Sequence, residues 1–270
     1  MRARMVAIPI IAAAAAALLF AGFSGGRAAP RFADKRANAV PVDTELVIAV
    51  DVSNSMDPEE QELQREGYIT GLTSREFMSA LRGGMTGKVA VTYFEWAGLY
   101  DQKIIVPWRL VDGPESAQAL AAEIGRAPYR RAPRTSIYGA LQFGKPLFDA
   151  SGFNGSRRVI DVSGDGSNNM GPPVTLMRDE VLAAGITING LPIMLNRPFG
   201  YGMYATQMEH LDVYYEDCVT GGPGSFVIPI KQRDQFKEAT RAKLVLEIAG
   251  RAPERRIVPA QVKLPRVYCS

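Results

Sequence analysis

Asp51, Ser53 and Ser55 occupy alternate positions directly after the apolar run Leu46-Val47-Ile48-Ala49-Val50. In a tight loop, alternate residues turn their side chains toward one point, and oxygen donors gathered there suit a hard cation such as Mg2+. Two more stretches carry donors of the same kind. Thr135 opens Thr135-Ser136-Ile137-Tyr138-Gly139-Ala140-Leu141, and Asp165 stands between Gly164 and Gly166 after Arg157-Arg158-Val159-Ile160-Asp161-Val162-Ser163. Any one of these residues alone reads as an ordinary turn or helix-cap residue. Together, at three separate loops, they read as the hydroxyl and carboxylate donors of a divalent-cation site.

Those loops need a scaffold that carries them to one edge. Leu46–Val50 is short, apolar and mostly β-branched, as a strand buried on both faces of a parallel sheet should be. Asp57-Pro58-Glu59-Glu60 then supplies an N-cap, a first-turn proline and a capping-box glutamate, starting a helix expected to run to about Leu81 and stop at Gly83-Gly84. Lys88–Trp96 and Lys103–Trp108 read as strands of an antiparallel hairpin, the second at an edge because Pro107 has no N–H to offer a neighbour. Glu115–Ile124 is a short helix. The helix opened by Thr135 carries Ile137, Ala140, Leu141, Gly144 and Leu147 at helical spacing, and Pro146 conflicts with it, implying a kink or an earlier end. Arg157–Ser163 and Ile186–Pro192 are further strands, separated by a helix over Pro173–Ala184 that Gly185 stops. Met194–Thr220, rich in Tyr, Met and Gly, resists assignment but follows the C-terminal end of a strand, where it can overhang the metal corner. Ser225–Ile230 reads as a late strand and Asp234–Ala249 as a last helix with Ala239, Ala242, Leu246 and Ala249 on its inner stripe. The alternation predicts an α/β fold of three layers: a doubly wound, mostly parallel sheet with one antiparallel edge strand. Ligands of such sheets sit outside the carboxyl ends of the strands, the side on which Asp51, Thr135 and Asp165 fall.

Asp51-x-Ser53-x-Ser55 after an apolar strand, Thr-Ser-Ile-x-Gly-Ala-Leu from Thr135, and Gly164-Asp165-Gly166 after another strand occur here in an order that resembles von Willebrand factor type A domains, including integrin I domains. The resemblance spans roughly Asp43 to Ala249. An exported framework with Met56-Asp57 after the motif and a Cys near the C-terminus is similar to an uncharacterised bacterial subgroup of them. The resemblance implies a metal-ion-dependent adhesion site in which Ser53, Ser55 and Thr135 give hydroxyl ligands while Asp51 and Asp165 bind the metal directly or through water. Mg2+ is the expected cofactor, with Mn2+ admitted and Ca2+ less comfortable. An inner shell of neutral hydroxyls leaves the ion most of its charge, so it favours an Asp or Glu presented by a protein partner.

Other chemistries fit less well. A phosphotransfer enzyme of the haloacid-dehalogenase type, with an Asp nucleophile at a strand tip, wants a second Asp where this chain has Ser53. A serine hydrolase needs a positioned base; His210 is the only histidine, and there is no Gly-x-Ser-x-Gly elbow. The expected product is therefore a non-enzymatic binding module, with a metal-dependent hydrolase or phosphotransfer enzyme and a metal-free scaffold as the alternatives. His210, beside Tyr214 and Tyr215, reads as packing or surface, and Asp161, inside a buried strand, as a paired structural acid. The Arg126–Arg134 cluster with Tyr129 suits either an anionic partner or a solvated loop.

The ends of the chain have their own character. Arg2 and Arg4 precede an uncharged, alanine-rich run from Met5 to Phe23, and small residues follow at Gly25, Gly26, Ala28 and Ala29. That is the pattern of a secretory signal peptide over residues 1–29; a retained membrane anchor is the rival, since the run almost suffices to span a bilayer. Residues 30–42 are expected to be a flexible lead-in, 43–250 the domain and 251–270 a tail. Without Arg2, Arg4 and Arg27, the 31 basic residues fall to the number of the 28 acidic ones. Balanced charge gives no electrostatic case for nucleic acid or anionic lipid. Export, to the periplasm or beyond, predicts that Cys218 and Cys269 form a disulfide tying the tail to the domain, worth roughly 4 kcal/mol on the chain-entropy model.

Overall fold

The run that begins the metal motif lies at the centre of the sheet. The computed structural model describes residues 38–195, 209–251 and 267–269. Strand β1 (Val40–Asp51) is paired in parallel with β2 (Val89–Trp96) on one side and with β4 (Phe153–Gly164) on the other. Antiparallel β3 (Gln102–Val111) forms the edge beyond β2, and parallel β5 (Thr187–Pro192) lies beyond β4, giving the order β3-β2-β1-β4-β5. The expected mostly parallel sheet with one antiparallel edge strand is what forms. Pro107 lies on that edge strand, as its missing N–H requires.

Both faces of β1 are covered, which is why its sequence lacks a polar alternation. Leu46, Ile48 and Val50 pack toward α1 (Pro58–Leu72) and the last helix, α7 (Phe236–Ala249), among Tyr68, Leu72, Phe236 and Leu244. Val47 and Ala49 pack toward α4 (Ile137–Leu147) and α5 (Val174–Ala183), among Ile137, Ala140, Leu141 and Val174. Each buried aliphatic side chain contributes roughly 1.5–3 kcal/mol, so the two cores together hold the register that leaves Asp51 at the strand tip. Helix α1 lies close on α7 at Gly71, where a Cβ would come within 2.8 Å of Leu244 Cδ1.

Helix α1 starts on the expected capping box. Asp57 Oδ1 accepts from Glu60 N at 2.8 Å and Glu60 Oε2 accepts from Asp57 N at 2.8 Å. The single helix expected as far as Leu81 is, however, two. Helix α1 ends at Leu72, and α2 (Arg75–Arg82) begins on Ser74, whose Oγ accepts from Phe77 N at 3.1 Å and donates to Gly71 O. A serine that caps one helix and closes the previous one outweighs continuity of apolar spacing.

After α3 (Pro114–Arg126), α4 does not stop early. It runs to Leu147 with Pro146 in its last turn, and a 3-10 turn over Phe148–Ala150 follows. The expected strand over Ser225–Ile230 is absent; Val227 and Ile230 make isolated bridges to Gly190 and Ile193 beside β5. Ile228 N and Ile230 N do reach Gly190 O and Pro192 O, but Pro192 in β5 has no N–H to return to Ile228 O, and the ladder is interrupted there. In α7 the buried face is Phe236, Ala239, Lys243, Leu244, Glu247 and Ile248, a rotation from the alanine stripe expected, and Ala249 is exposed. Two buried charged residues outside that stripe, Lys243 and Glu247, account for the difference.

Of the unassigned stretch, residues 196–208 lie outside the described residues. Beyond them α6 (Leu211–Tyr214) runs into a π turn, Tyr215–Val219. Cys218, at 0% exposure within that turn, is disulfide-bonded to Cys269. Strand β1 begins at Val40, within the stretch 30–42 whose first residues, 30–37, lie outside the described residues. The signal-peptide segment lies outside the described residues, among which no helix is long and apolar enough to cross a membrane.

Candidate metal centre

Three loops meet at the C-terminal ends of β1 and β4. Asp51 ends β1, and its Oδ1 accepts from Ser53 N at 2.7 Å, which folds the chain back over the strand tip. Ser53 Oγ and Ser55 Oγ then share a hydrogen bond of 2.7 Å. Ser55 Oγ donates to Asp165 Oδ1 at 2.6 Å, joining the first loop to the one that follows β4. Thr135 stands just before α4, and its Oγ1 is 3.6 Å from the position a Cβ on Gly166 would take. All five residues singled out in the sequence are therefore at one corner. Asp51, Ser53, Thr135 and Asp165 are buried, and Ser55 is half-buried.

The middle loop is clamped on both sides. Asn54 N donates to Ala132 O at 2.9 Å and Ala132 N to Val52 O at 3.1 Å, binding it to the first loop. Thr135 N donates to Asn169 Oδ1 at 2.9 Å, Asn169 N returns a bond to Thr135 O at 2.8 Å, and Tyr138 N donates to Asn168 Oδ1 at 3.0 Å. Ser136 Oγ caps α4 by accepting from Gly139 N and donates to Met170 O at 2.8 Å. Asn168, Asn169 and Met170 thus fix where Thr135 sits. Sequence reading did not find them, because side-chain-to-backbone clamps between distant loops leave no local pattern.

Electrostatics single out Asp51. It is 0% exposed, and its Oδ2 has no hydrogen-bond partner among the described residues. Burial pushes its carboxyl well above the ordinary carboxylate range, the neighbouring charge of Asp165 pushes it further, and the bonds from Ser53 pull it back. A buried oxygen with no donor costs about 1–3 kcal/mol, more when charged, and a proton or a cation relieves that cost. The surrounding donors are hydroxyl and carboxylate oxygens, the set a hard divalent cation takes. Among the described residues no group of three or more His, Cys, Asp or Glu gathers in metal-binding geometry; the donors at this corner are two carboxylates and three hydroxyls. These residues fit a hard divalent cation.

Two further residues belong to this corner. A Cβ on Gly164 would lie 2.8 Å from Asp51 Oδ2 and 3.1 Å from Tyr215 Oη. Only a glycine leaves that space for a carboxylate and a phenol to share. Tyr215 is 0% exposed, and its hydroxyl has no hydrogen-bond partner among the described residues. Burial, then the charge of Asp51, drives its pKa far up, so it stays a neutral O–H donor. Tyr214 beside it accepts from Asn168 N at 3.2 Å, with its own pKa pushed up by burial to about 12. His210 precedes α6, where its carbonyl accepts from Tyr214 N. The Tyr214-Tyr215 pair was visible in the sequence, but only packing against β4 gives it a role.

A family model described as "Protein of unknown function (DUF1194)" matches residues 41–252. No curated protein matches the sequence. Among solved structures, the chain is similar to proximal thread matrix protein 1 from the mussel byssus, at 16% identity and a TM-score of 0.53, covering 79% of this chain and 49% of that one. It is also similar to a von Willebrand factor type A protein from Catenulispora acidiphila, at 14% identity and a TM-score of 0.50, covering 77% and 43%. The pilus adhesin SpaC from Lactobacillus rhamnosus GG gives 16% identity and a TM-score of 0.55, covering 78% and 31%. This chain therefore spans less than half the length of each. Likeness at such identities is likeness of fold, and the fold is that of a von Willebrand factor type A domain.

Proposed function

The chain belongs to the DUF1194 family, and for it we propose an exported protein-binding module in which Asp51, Ser53, Ser55, Thr135 and Asp165 hold a divalent cation, Mg2+ first, that captures an Asp or Glu of a partner. The observation that carries this reading is Asp51 Oδ2, buried without a donor among the described residues beside a second carboxylate and three hydroxyls. When bound, the cation would supply the positive charge that attracts a partner's carboxylate. The chain's own part is to orient the donors. Asp51 and Asp165 supply the negative charge, the hydroxyls of Ser53, Ser55 and Thr135 complete an oxygen shell without adding to it, and the asparagine clamps keep the second loop in place.

A binding role rather than catalysis agrees with the names of two similar structures, a pilus adhesin and a byssal thread matrix protein. Export agrees with the Cys218–Cys269 disulfide, a bond at home in oxidising compartments. The test is a pull-down from the envelope and secreted fractions of the source organism, run with Mg2+ and with chelator. A partner retained only with Mg2+ by the wild-type chain and lost by Asp165→Ala supports the proposal. Equal retention with chelator, or by the variant, contradicts it and leaves a metal-free scaffold.

A further inference from the structure

The arginines before Thr135 do different jobs. Arg130 belongs to the fold: its Nε donates to Glu95 Oε2 at 3.0 Å, its Nη2 to Glu95 O and its Nη1 to Asp101 Oδ1 at 2.5 Å. Glu95 is itself buried and also accepts from Arg65 Nη2 at 2.8 Å. Arg126 ends α3, bonds to Ala122 O, and lines a shallow depression with Lys103 and Glu123 on the β3 side. Arg131 and Arg134 remain. Both are exposed, and neither pairs with a carboxylate among the described residues.

Their positions are set by the metal loops. Arg131 Nη2 donates to Asn54 O at 2.6 Å, between Ser53 and Ser55. Arg134 directly precedes Thr135 and has φ of 74°, the only positive φ of a non-glycine residue among those described. An L residue occupies that region at a steric cost, and such outliers persist where the surroundings over-determine them. Here the Ala132 bridge on one side and the Thr135–Asn169 clamp on the other hold it. The backbone therefore decides where this guanidinium leaves the loop. Beside it lies Met170, 37% exposed: a Cβ on Gly98 would stand 3.4 Å from its Sδ and 3.8 Å from Arg134 Cβ.

We propose that Arg131 and Arg134 are further reading points beside the cation corner, so that the partner is an acidic protein segment carrying at least two carboxylates, one for the cation and another for one of these guanidiniums. This rests on the metal-dependent reading above. A divalent cation would offset Asp51 and Asp165, leaving two guanidiniums beside it that have no carboxylate partner among the described residues. Guanidinium offers a planar fork that matches a carboxylate two bonds at a time. Two such groups are too few for the basic track along which a nucleic-acid backbone is held.

The experiment uses the purified chain and two synthetic peptides, one with a single Glu in a Gly-Ser context and one with a run of Glu in the same context. Binding is measured with Mg2+ and with chelator, alongside melting curves of every variant. The run of Glu is expected to bind about tenfold more tightly than the single Glu, a preference that shrinks as salt is raised. Arg131→Gln/Arg134→Gln should bring the ratio close to one while Mg2+-dependent binding of the single-Glu peptide persists. Either single substitution should lower the ratio part way, which keeps the test open if the double variant melts early. Arg126→Gln, with the same charge change elsewhere, should leave the preference intact. A wild-type ratio near one, a preference that survives the double substitution, or equal competition by a single-stranded oligonucleotide overturns the inference. If neither peptide's binding depends on Mg2+, the proposed function itself fails and this inference with it.

Discussion

Asp51 and Asp161 are both 0% exposed and lie on neighbouring strands of one sheet, yet the chain balances them in opposite ways. Asp161, inside β4, meets Lys243 Nζ of α7 at 2.5 Å and accepts from Tyr68 Oη at 3.1 Å. The same ammonium pairs with Glu247, one turn along α7, and Asn189 Nδ2 donates to Glu247 Oε1 at 3.2 Å. Burial raises the pKa of Asp161, and the Lys243 ammonium pulls it back. Asp51, at the tip of β1, has no ion pair among the described residues; it has a serine loop, a second carboxylate nearby and an oxygen with no donor. One acid carries its cation as part of the covalent chain. The other is built as though its cation comes from solution, and that contrast is the physical basis for the metal proposal.

The contrast is broken hardest at the lysine. Lys243→Met leaves two buried carboxylates without their cation and should cost about 3–5 kcal/mol, seen as a lower midpoint in denaturant. Added Mg2+ should not restore it, because the deficit lies inside the sheet rather than at its edge. A restoration by Mg2+ would erase the distinction between the two regions.

The same region has a pH signature. Burial, then the charge of Asp161, holds the Glu247 carboxyl up at about 7 against 4.5 for the free group. A raised folded value means that the folded chain keeps its proton more tightly than the unfolded chain does. Stability is therefore greatest below about 4.5 for this group and falls as pH rises through about 7, by at most about 3 kcal/mol. Glu247→Gln should flatten the fall of the melting temperature across that window, and an unchanged slope would assign it to another group.

Asp51→Asn acts in the reverse sense. Without metal it removes a buried charge and its repulsion with Asp165, so in chelator it should gain about 1–2 kcal/mol. It should also lose the rise in melting temperature that Mg2+ gives the wild type. Calorimetric scans with Mg2+ and with chelator check both halves, and a variant still stabilised by Mg2+ would move the cation elsewhere.

Tyr215→Phe is the mildest. It should leave melting in chelator nearly unchanged and weaken Mg2+ binding by about tenfold at most, since the phenol shares the space at Gly164 with Asp51 Oδ2 without bonding to it. Titration calorimetry reads the affinity, and an unaltered value would make the tyrosine mere packing.

Much of this could be read from residue order. The apolar run ending at Asp51, the capping box at Asp57 and the glycines around Asp165 are local, and each fixed its element and brought its donors to the same edge. Other features depend on partners far along the chain. Ser74 splits a helix that apolar spacing alone would continue, and Pro192, on the neighbouring strand, leaves an expected strand as isolated bridges. Asp161 was expected to be paired, but its partner Lys243 lies outside the alanine stripe assigned to the buried face of α7, and a charged side chain is hard to recognise as buried. Tyr215 gains its place only because Gly164 lacks a side chain across the fold.

The central claim is a divalent cation at the Asp51–Asp165 corner, and titrating chelator-treated protein with Mn2+ while following the paramagnetic signal of the free ion tests it most directly. The account predicts one saturable site per chain, displaced by Mg2+ and lost in Asp165→Ala with melting in chelator preserved. Absence of a saturable site in the wild type, or an equal site in the variant, would contradict it.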